Sequence, residues 1–511
     1  MASPSEKLSQ SLERLKALQD DGVVAIASSL LGRTDRERLL KNGFLSEVSK
    51  GWYISSNPEL RKGDSTGWYS SYWVFCVDYL NQRFKKNWIL SPEQSLSIHV
   101  GNYTVPQQLA VKSPDASNNI VNLAHNTSLL YLKEKTTKRD IKVTNEGLRI
   151  YSLPDALINS SPRFFNQNPI DVRSALLSID GASEILSILL KNGQSVVSGR
   201  IAGAFREVGR GDIADEIKST FELTGYQFRE KNPFQEKINI LSFDRVESPY
   251  VSRIRMMWQS MREDVIDDFK IDEIGRPKDK EGYFKRIEEL FVADAYNSLS
   301  IEGYKVSEDL IIKIRDGYWK PEKNESDRDH LNALAAKGYF DAFNKVKESI
   351  AKILEGQDQA DVVRSDLNYW YRSMFAPSVT AGIIELSDLA GYRSIPVYIR
   401  GSMHSPPNAS SVRDAMPELF RLIKAEPVAC VRAILGHFIL VYIHPFMDGN
   451  GRTARFLMNT MLASGGFEWT VIPVERREEY MAALEDASVR SDIKAFTILI
   501  SNLIEINDPN L

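Results

Sequence analysis

Residues 441–459 read VYIHPFMDGNGRTARFLMN, and their reading decides the fold of the C-terminal half. An apolar helical run leads into His444, and Pro445 biases that histidine out of helical geometry. Asp448-Gly449-Asn450-Gly451 then makes a tight turn whose glycines take positive φ at little steric cost. A second helix starts near Arg452. Such a turn aims successive backbone N–H groups at one point beside a helix N-terminus, an anion site suited to phosphate. Arg452 and Arg455 are three apart and project from one helical face over that point. An arginine pair holds a polyphosphate through forked hydrogen bonds. Asp448, the only carboxylate inside the loop, suits the Mg²⁺ that accompanies a nucleotide. His444 has an ordinary pKa of about 6.5, right for a general base near neutral pH. Taken singly, a histidine at a helix end or a DG turn has a plainer structural role. The conjunction in order, HPFxDGNGRxxR, rarely arises by chance, and it reads as a nucleotide polyphosphate site with a base beside it.

That string is the signature of the Fic family, which residues 245–505 resemble. Members mostly transfer AMP from Mg·ATP to a hydroxyl of a target protein, with Mn²⁺ able to stand in for Mg²⁺. The resemblance implies that His444 deprotonates the target hydroxyl and that the resulting nucleophile attacks the α-phosphate in line. It implies that Asp448 holds the metal and that Gly449-Asn450-Gly451 cradles the phosphates. Arg452 and Arg455 would grip the β- and γ-phosphates, with Thr453 and Ala454 in the same ATP-binding stretch. The Doc branch, which phosphorylates instead, has a different loop in place of GNGR, so kinase activity is not expected. The family also carries a flap, a hairpin that clamps the target. GYRSIPVYIRGSMHSPP, residues 391–407, fits it: Ile395, Val397 and Ile399 alternate, and Pro396 suits an edge strand that captures an extended target segment. By the same resemblance Gly401, Ser402, Met403 and His404 approach the nucleotide. Tyr480 and Met481 fall where relatives place residues beside the adenine.

Upstream, residues 294–304 read DAYNSLSIEGY. Ser298 and Glu302, four apart, share a helix face, and Gly303 is a natural helix stop. This matches the inhibitory [S/T]xxxE[G/N] motif of Fic relatives, placed near 290–303 and N-terminal to the catalytic core, as in the class II arrangement. The expectation is that Glu302 pairs with Arg455 and occupies the guanidinium that should hold the γ-phosphate.

Outward from these motifs, three zones emerge. Residues 245–511 carry amphipathic helices at Ser252–Phe269, Tyr283–Ser300, His330–Leu354, Val428–Ile443 and Arg452–Ser464, an α-helical bundle. Residues 57–240 read as a small α/β domain, with strands at Leu96–Val100 and Leu129–Leu132 and a helix over Ala175–Leu190. Its SGRIAGAFREVGRGD fits neither GxxxxGK[ST] nor GxGxxG, and Gly199, Ala202 and Gly203 read as small residues for close helix packing. Residues 1–56 read helix, helix, helix, small hairpin, the order of a winged helix-turn-helix, with Val23–Leu31 in the middle. Residues 1–240 together loosely resemble the antitoxin-like AbiEi regulatory modules. The fold class expected is mainly α: a helical Fic bundle with a β-hairpin flap, preceded by a winged helix and a small α/β domain.

Composition narrows the partners. Lys plus Arg number 64 and Asp plus Glu 68, so a surface built wholly for nucleic acid is excluded, although a winged helix leaves DNA or protein open as its local partner. Two cysteines far apart and six histidines give no disulfide framework and no zinc spacing. The N-terminus has no apolar signal core and no stretch is long enough to span a membrane, so a cytoplasmic protein is expected. The leading expectation is an autoinhibited adenylyltransferase acting on a protein hydroxyl, itself included. Removal of AMP at the same site and a DNA-binding regulator with a nucleotide-sensing half are the alternatives. Helical Fic relatives often form homodimers, and a dimer is expected on that ground.

Overall fold

The computed structural model describes residues 3–58, 64–134, 141–192, 195–223, 228–235, 248–273, 275–319, 330–389 and 391–507. They are mainly helical and form two compact units. One comprises Met1–Arg253 with Tyr398–Ser405; the other comprises Ile254–Val397 with Pro406–Leu511.

The first unit opens with a helix at Pro4–Asp20, started by a capping box in which Ser3 and Glu6 satisfy each other's amides. Its Leu15 packs with Ile26, Leu39, Leu45 and Tyr53. The strand Trp52–Ser55 lies between Ile26–Ala27 and Leu45–Ser49, antiparallel to both. The hairpin at the end of this stretch forms as read, but the helix expected over Val23–Leu31 does not. Gly22 leaves the first helix at φ 76°, and β-branched Val23, Val24 and Ile26 favour the extended chain that follows. One helix, Arg33–Lys41, stands where two were expected.

The next helix, Thr66–Phe84, buries Trp68, Tyr72, Trp73, Phe75, Tyr79 and Phe84. Trp52 from the preceding hairpin meets Tyr79 edge-on at 4.7 Å, so the first 56 residues and the α/β part share one core. A four-stranded sheet covers that helix, with Gln108–Ser113 and Ser128–Lys133 parallel at its centre. Leu96–Val100 is not a strand: Pro92–His99 is a helix, because Ser91 caps the Gln94 amide and Pro92 is preset for the first turn. The helix expected over Ala175–Leu190 is two, Pro169–Leu177 and Ala182–Asn192, broken at Ser178–Gly181.

Gly199 and Gly203 allow a close approach, but to an extended chain rather than a helix. A Cβ on either would collide with the main-chain carbonyl of Arg229 or Lys231, and the Lys231 N–H donates to the Gly199 carbonyl at 3.1 Å.

In the second unit Ala429–Ile443 is the central helix, buried at every position except Val441, as a helix apolar all round must be. It returns antiparallel as Asn450–Gly465, and the two are joined by the loop 444–449. Lys280–Ile301, His330–Leu354, Gln359–Thr380, Ala409–Ala425, Arg477–Arg490 and Lys494–Asn507 complete the bundle. The flap corrects the expectation: residues 391–407 are irregular and form no β-ladder. Pro396, Pro406 and Pro407 have no N–H to give, and the Arg393 N–H donates instead to the Pro445 carbonyl.

Gly203→Ala should destabilise the first unit by about 1–3 kcal/mol, because the added methyl displaces the 228–235 chain. Urea denaturation followed by tryptophan fluorescence checks it; an unchanged midpoint would show that the chain yields freely.

Candidate functional site

The central helix ends on His444, whose backbone is left-handed at φ 53° and ψ 60°. Pro445 disfavours the α region for this residue, and a non-glycine residue here costs about 1–3 kcal/mol, so the surroundings must hold it. Its Nδ1–H donates to the Val441 carbonyl at 3.1 Å, which leaves the Nε2 lone pair free to accept a proton. Burial pushes the imidazole pKa down to about 4. The Val441 carbonyl pulls it up, the Arg393 charge pushes it further down, and Glu302 and Asp448 raise it. The imidazole is neutral at physiological pH.

The turn is stapled from within. Asn450 Nδ2 donates to the Phe446 carbonyl and Oδ1 accepts from the Phe446 N–H, each at 2.9 Å. Asn450 thus shapes the cradle with a side chain that the loop itself consumes. Phe446 stacks flat on Tyr371, centroids 3.9 Å apart. Gly449, at φ 75°, caps the Asn450–Gly465 helix, and a Cβ there would strike the Phe375 ring. The Thr453 hydroxyl donates to the Gly449 carbonyl at 2.9 Å, and Ala454 is fully buried, so neither side chain offers a ligand contact.

Arg452 and Arg455 are both buried and differently held. The Arg452 guanidinium sits between the Tyr304 ring at 5.1 Å and the Phe375 ring at 5.2 Å. It reaches Asp448 Oδ2 at 3.1 Å, while its Nε has no hydrogen-bond partner among the described residues. Arg455 donates to Glu302 Oε1 at 2.7 Å, and to the Ser298 hydroxyl and carbonyl at 2.9 and 3.0 Å. Ser298 and Glu302 come from the last turn and C-cap of Lys280–Ile301, which Gly303 leaves at φ 92°. A Cβ on Gly451 would collide with Glu302 Oε1, so the carboxylate lies directly against the glycine turn. Burial alone would raise the Glu302 pKa, but Arg455 and Arg452 hold it below the usual carboxylate range. Arg455 is correspondingly pushed up by Glu302 against the opposing effect of burial.

Asp448 fits a divalent cation of the Mg²⁺ kind: its side chain is 64% exposed at the mouth of the loop, and such an ion takes one or two carboxylates plus substrate phosphates. No cluster of three or more acidic, histidine or cysteine residues exists among the described residues, so Asp448 would be the protein's contribution.

Other expectations change. Tyr480 is 1% exposed, its ring packs against His437 and Phe496, and its hydroxyl meets His437 Nε2 at 2.9 Å. It supports Arg455 from below rather than offering a face to a base; Met481 beside it is half-buried. Gly401–His404 group with the first unit, where the Gly401 N–H donates to Thr66 Oγ1 and the Met403 carbonyl accepts from the Val105 N–H. The sequence reading missed Tyr304, which follows the inhibitory motif, and Arg393, which donates to the His444 carbonyl at 2.7 Å. Tyr304 was within reach of a search for aromatics flanking the motif. Arg393 lies inside the segment read as the flap, but its partner His444 lies far along the chain, beyond the reach of spacing.

Residues 364–462 match the family model described as Fic/DOC family. Over 118 residues the chain is 36% identical to the protein adenylyltransferase Fic of Drosophila erecta, covering 22% of this chain and 23% of that protein. The protein of the same name from Drosophila melanogaster matches equally. The match thus spans about a quarter of the length of these curated relatives. Among solved structures, a Fic-1 fragment from C. elegans aligns over 69% of this chain and 88% of its own, at 17% identity and a TM-score of 0.36. A Fic domain containing signalling protein from Bacteroides thetaiotaomicron aligns over 49% of this chain and 94% of its own, at 17% identity and a TM-score of 0.33.

The buried histidines give a pH prediction. His444 resists protonation to about pH 4 and His437 to about pH 3, both chiefly through burial, whereas an unfolded imidazole titrates near 6.5. The stability they lend is whole above pH 6.5 and declines as pH falls from there toward 4. In a histidine Cε1–H NMR titration both should remain neutral at pH 5; a midpoint near 6.5 for either would overturn the reading.

Proposed function

The chain carries a Fic/DOC domain over residues 364–462, and on that premise we propose that it is an autoinhibited protein adenylyltransferase. It moves AMP from ATP to a hydroxyl side chain of a protein and releases pyrophosphate. His444 Nε2 takes the hydroxyl proton, and the oxygen attacks the α-phosphorus as the bond to the β-phosphate bridging oxygen breaks. The orphan amides at the start of Asn450–Gly465 receive phosphate oxygens. Arg452, with its unpartnered Nε, and Arg455 grip the departing pyrophosphate. Asp448 would hold Mg²⁺, or Mn²⁺ in its place, which when bound neutralises polyphosphate charge.

The observation that carries this reading is the ion pair from Glu302 to Arg455 at 2.7 Å, laid against Gly451. A carboxylate there is an anion in an anion site: it takes the guanidinium that a γ-phosphate needs and repels the phosphate that approaches. Because its pKa is lowered, Glu302 stays charged at neutral pH and the restraint persists. A nucleotide that binds beside it is held off its reactive geometry, and misplacement by about 1 Å costs about a hundredfold in rate. When Glu302 is removed, the buried Arg455 is left for a phosphate to compensate.

Transfer of label from α-³²P-ATP to protein with Mg²⁺ present tests this. Glu302→Gly should label at least about tenfold faster than the parent, within the range that geometric misplacement allows. Glu302→Gly/His444→Ala should not label. Equal labelling by parent and Glu302→Gly would remove the brake, and label surviving in the double variant would remove the base.

A further inference from the structure

Arg393 lies near the start of the segment read as the flap, is 4% exposed, and directs its donors at main-chain carbonyls around His444. Its Nε–H donates to the His444 carbonyl at 2.7 Å and one Nη to the Ile443 carbonyl at 3.4 Å. Its own amide donates to the Pro445 carbonyl at 2.8 Å, so three consecutive peptide units centred on His444 end on this residue. The remaining donors reach the Ile395 carbonyl at 3.1 Å and the Pro407 carbonyl, both within the 391–407 segment read as the flap.

Each half of that arrangement has a physical purpose. The Ile443 and His444 carbonyls are orphan acceptors at a helix C-terminus, where a cation also meets the negative end of the helix dipole. His444 sits in a left-handed conformation that costs about 1–3 kcal/mol and needs fixing from outside. In that conformation the direction of the carbonyl and the direction of the side chain are linked, so holding one aims the other. Only a planar fork with five donors reaches four carbonyls spread over two chain segments; a lysine ammonium cannot.

We propose that Arg393 is a positioning residue for nucleotidyl transfer: it locks the His444 peptide so that Nε2 faces the reacting hydroxyl, and it sets both ends of the 395–407 segment in the same frame as the base. This rests on the reading of His444 as the base. Its charge adds a second effect. The groups that bias the imidazole are Arg393, which disfavours protonation, and Glu302 and Asp448, which favour it. Without the guanidinium, His444 gains a proton more easily.

The test compares Arg393, Arg393→Lys and Arg393→Gln in the Glu302→Gly background. Read out are the label-transfer rate at saturating ATP, the ATP dissociation constant and melting temperature, and the His444 Cε1–H titration by NMR. Arg393→Lys should lower the rate about tenfold to a hundredfold, the scale of a misplaced base, with ATP affinity within about twofold. Arg393→Gln should in addition move the His444 midpoint and the acid limb of the rate profile to higher pH. Rates within twofold of the background protein would overturn the inference, and so would losses of rate matched by equal losses of ATP affinity. If the Glu302→Gly protein itself transfers no label, the functional reading fails. The NMR arm still decides this one: an unmoved His444 resonance and midpoint in both variants would overturn it. Should Arg393→Gln not fold, the rate and resonance in Arg393→Lys decide between the two outcomes.

Discussion

Arg455 carries a full charge on a side chain that is 5% exposed, and a guanidinium taken out of water has to be compensated where it stands. The compensation comes from Ser298 and Glu302 at the end of one helix and from the Tyr480 ring and hydroxyl on another, with His437 of the central helix behind Tyr480. One turn further down the same helix face, Asp294 is buried with its carboxyl raised to about 6 by burial, and it accepts from the Tyr339 hydroxyl at 2.7 Å. Asp294, Ser298 and Glu302 therefore make a polar stripe on a face that packs inward. Such a stripe fixes the register of its helix, since a slip by one turn would strand a charge without a partner.

The two arginines of the site are secured by different physics. Arg455 is held by a carboxylate and a hydroxyl, contacts that a phosphate imitates and can replace. Arg452 lies against two ring faces and donates to Asp448 at the mouth of the loop, contacts that leave its Nε without a hydrogen-bond partner among the described residues. The stretch Ser298–Tyr304 reaches both, through charge at one end and through the Tyr304 ring at the other. A guanidinium against aromatic faces keeps its orientation whether or not an anion is present, so under the proposed function the site would hold one preset arginine and one that changes partners.

How much of this was legible depended on range. The loop at 444–455 could be read because its chemistry is local: a proline, two glycines and an arginine spacing each act within a few residues. The long helices could be read because burial on one face leaves a period. Leu96–Val100 could not be read by alternation, since a serine cap and a proline one residue later outweighed it. The chain at 391–407 alternates like a strand, yet the Arg393 amide turns to the Pro445 carbonyl and no ladder forms. Tyr480 lay at the expected place in the chain with its ring turned inward, a choice made by Phe496 and His437 from other helices. Arg393 lay unremarked inside the 391–407 segment, because its contacts with Ile443 and His444 are tertiary.

Gly451 carries two constraints at once. The missing side chain leaves a gap at the start of a helix that admits the Glu302 carboxylate, and under the proposed function the same gap would let a phosphate approach the backbone. On that reading the two would be rivals for one volume as well as for one charge. A residue larger than glycine would collide with the carboxylate, so on the proposed function restraint and substrate binding would not be tuned separately at this position. The balance between them would then be adjusted further out, in the helix that delivers the carboxylate.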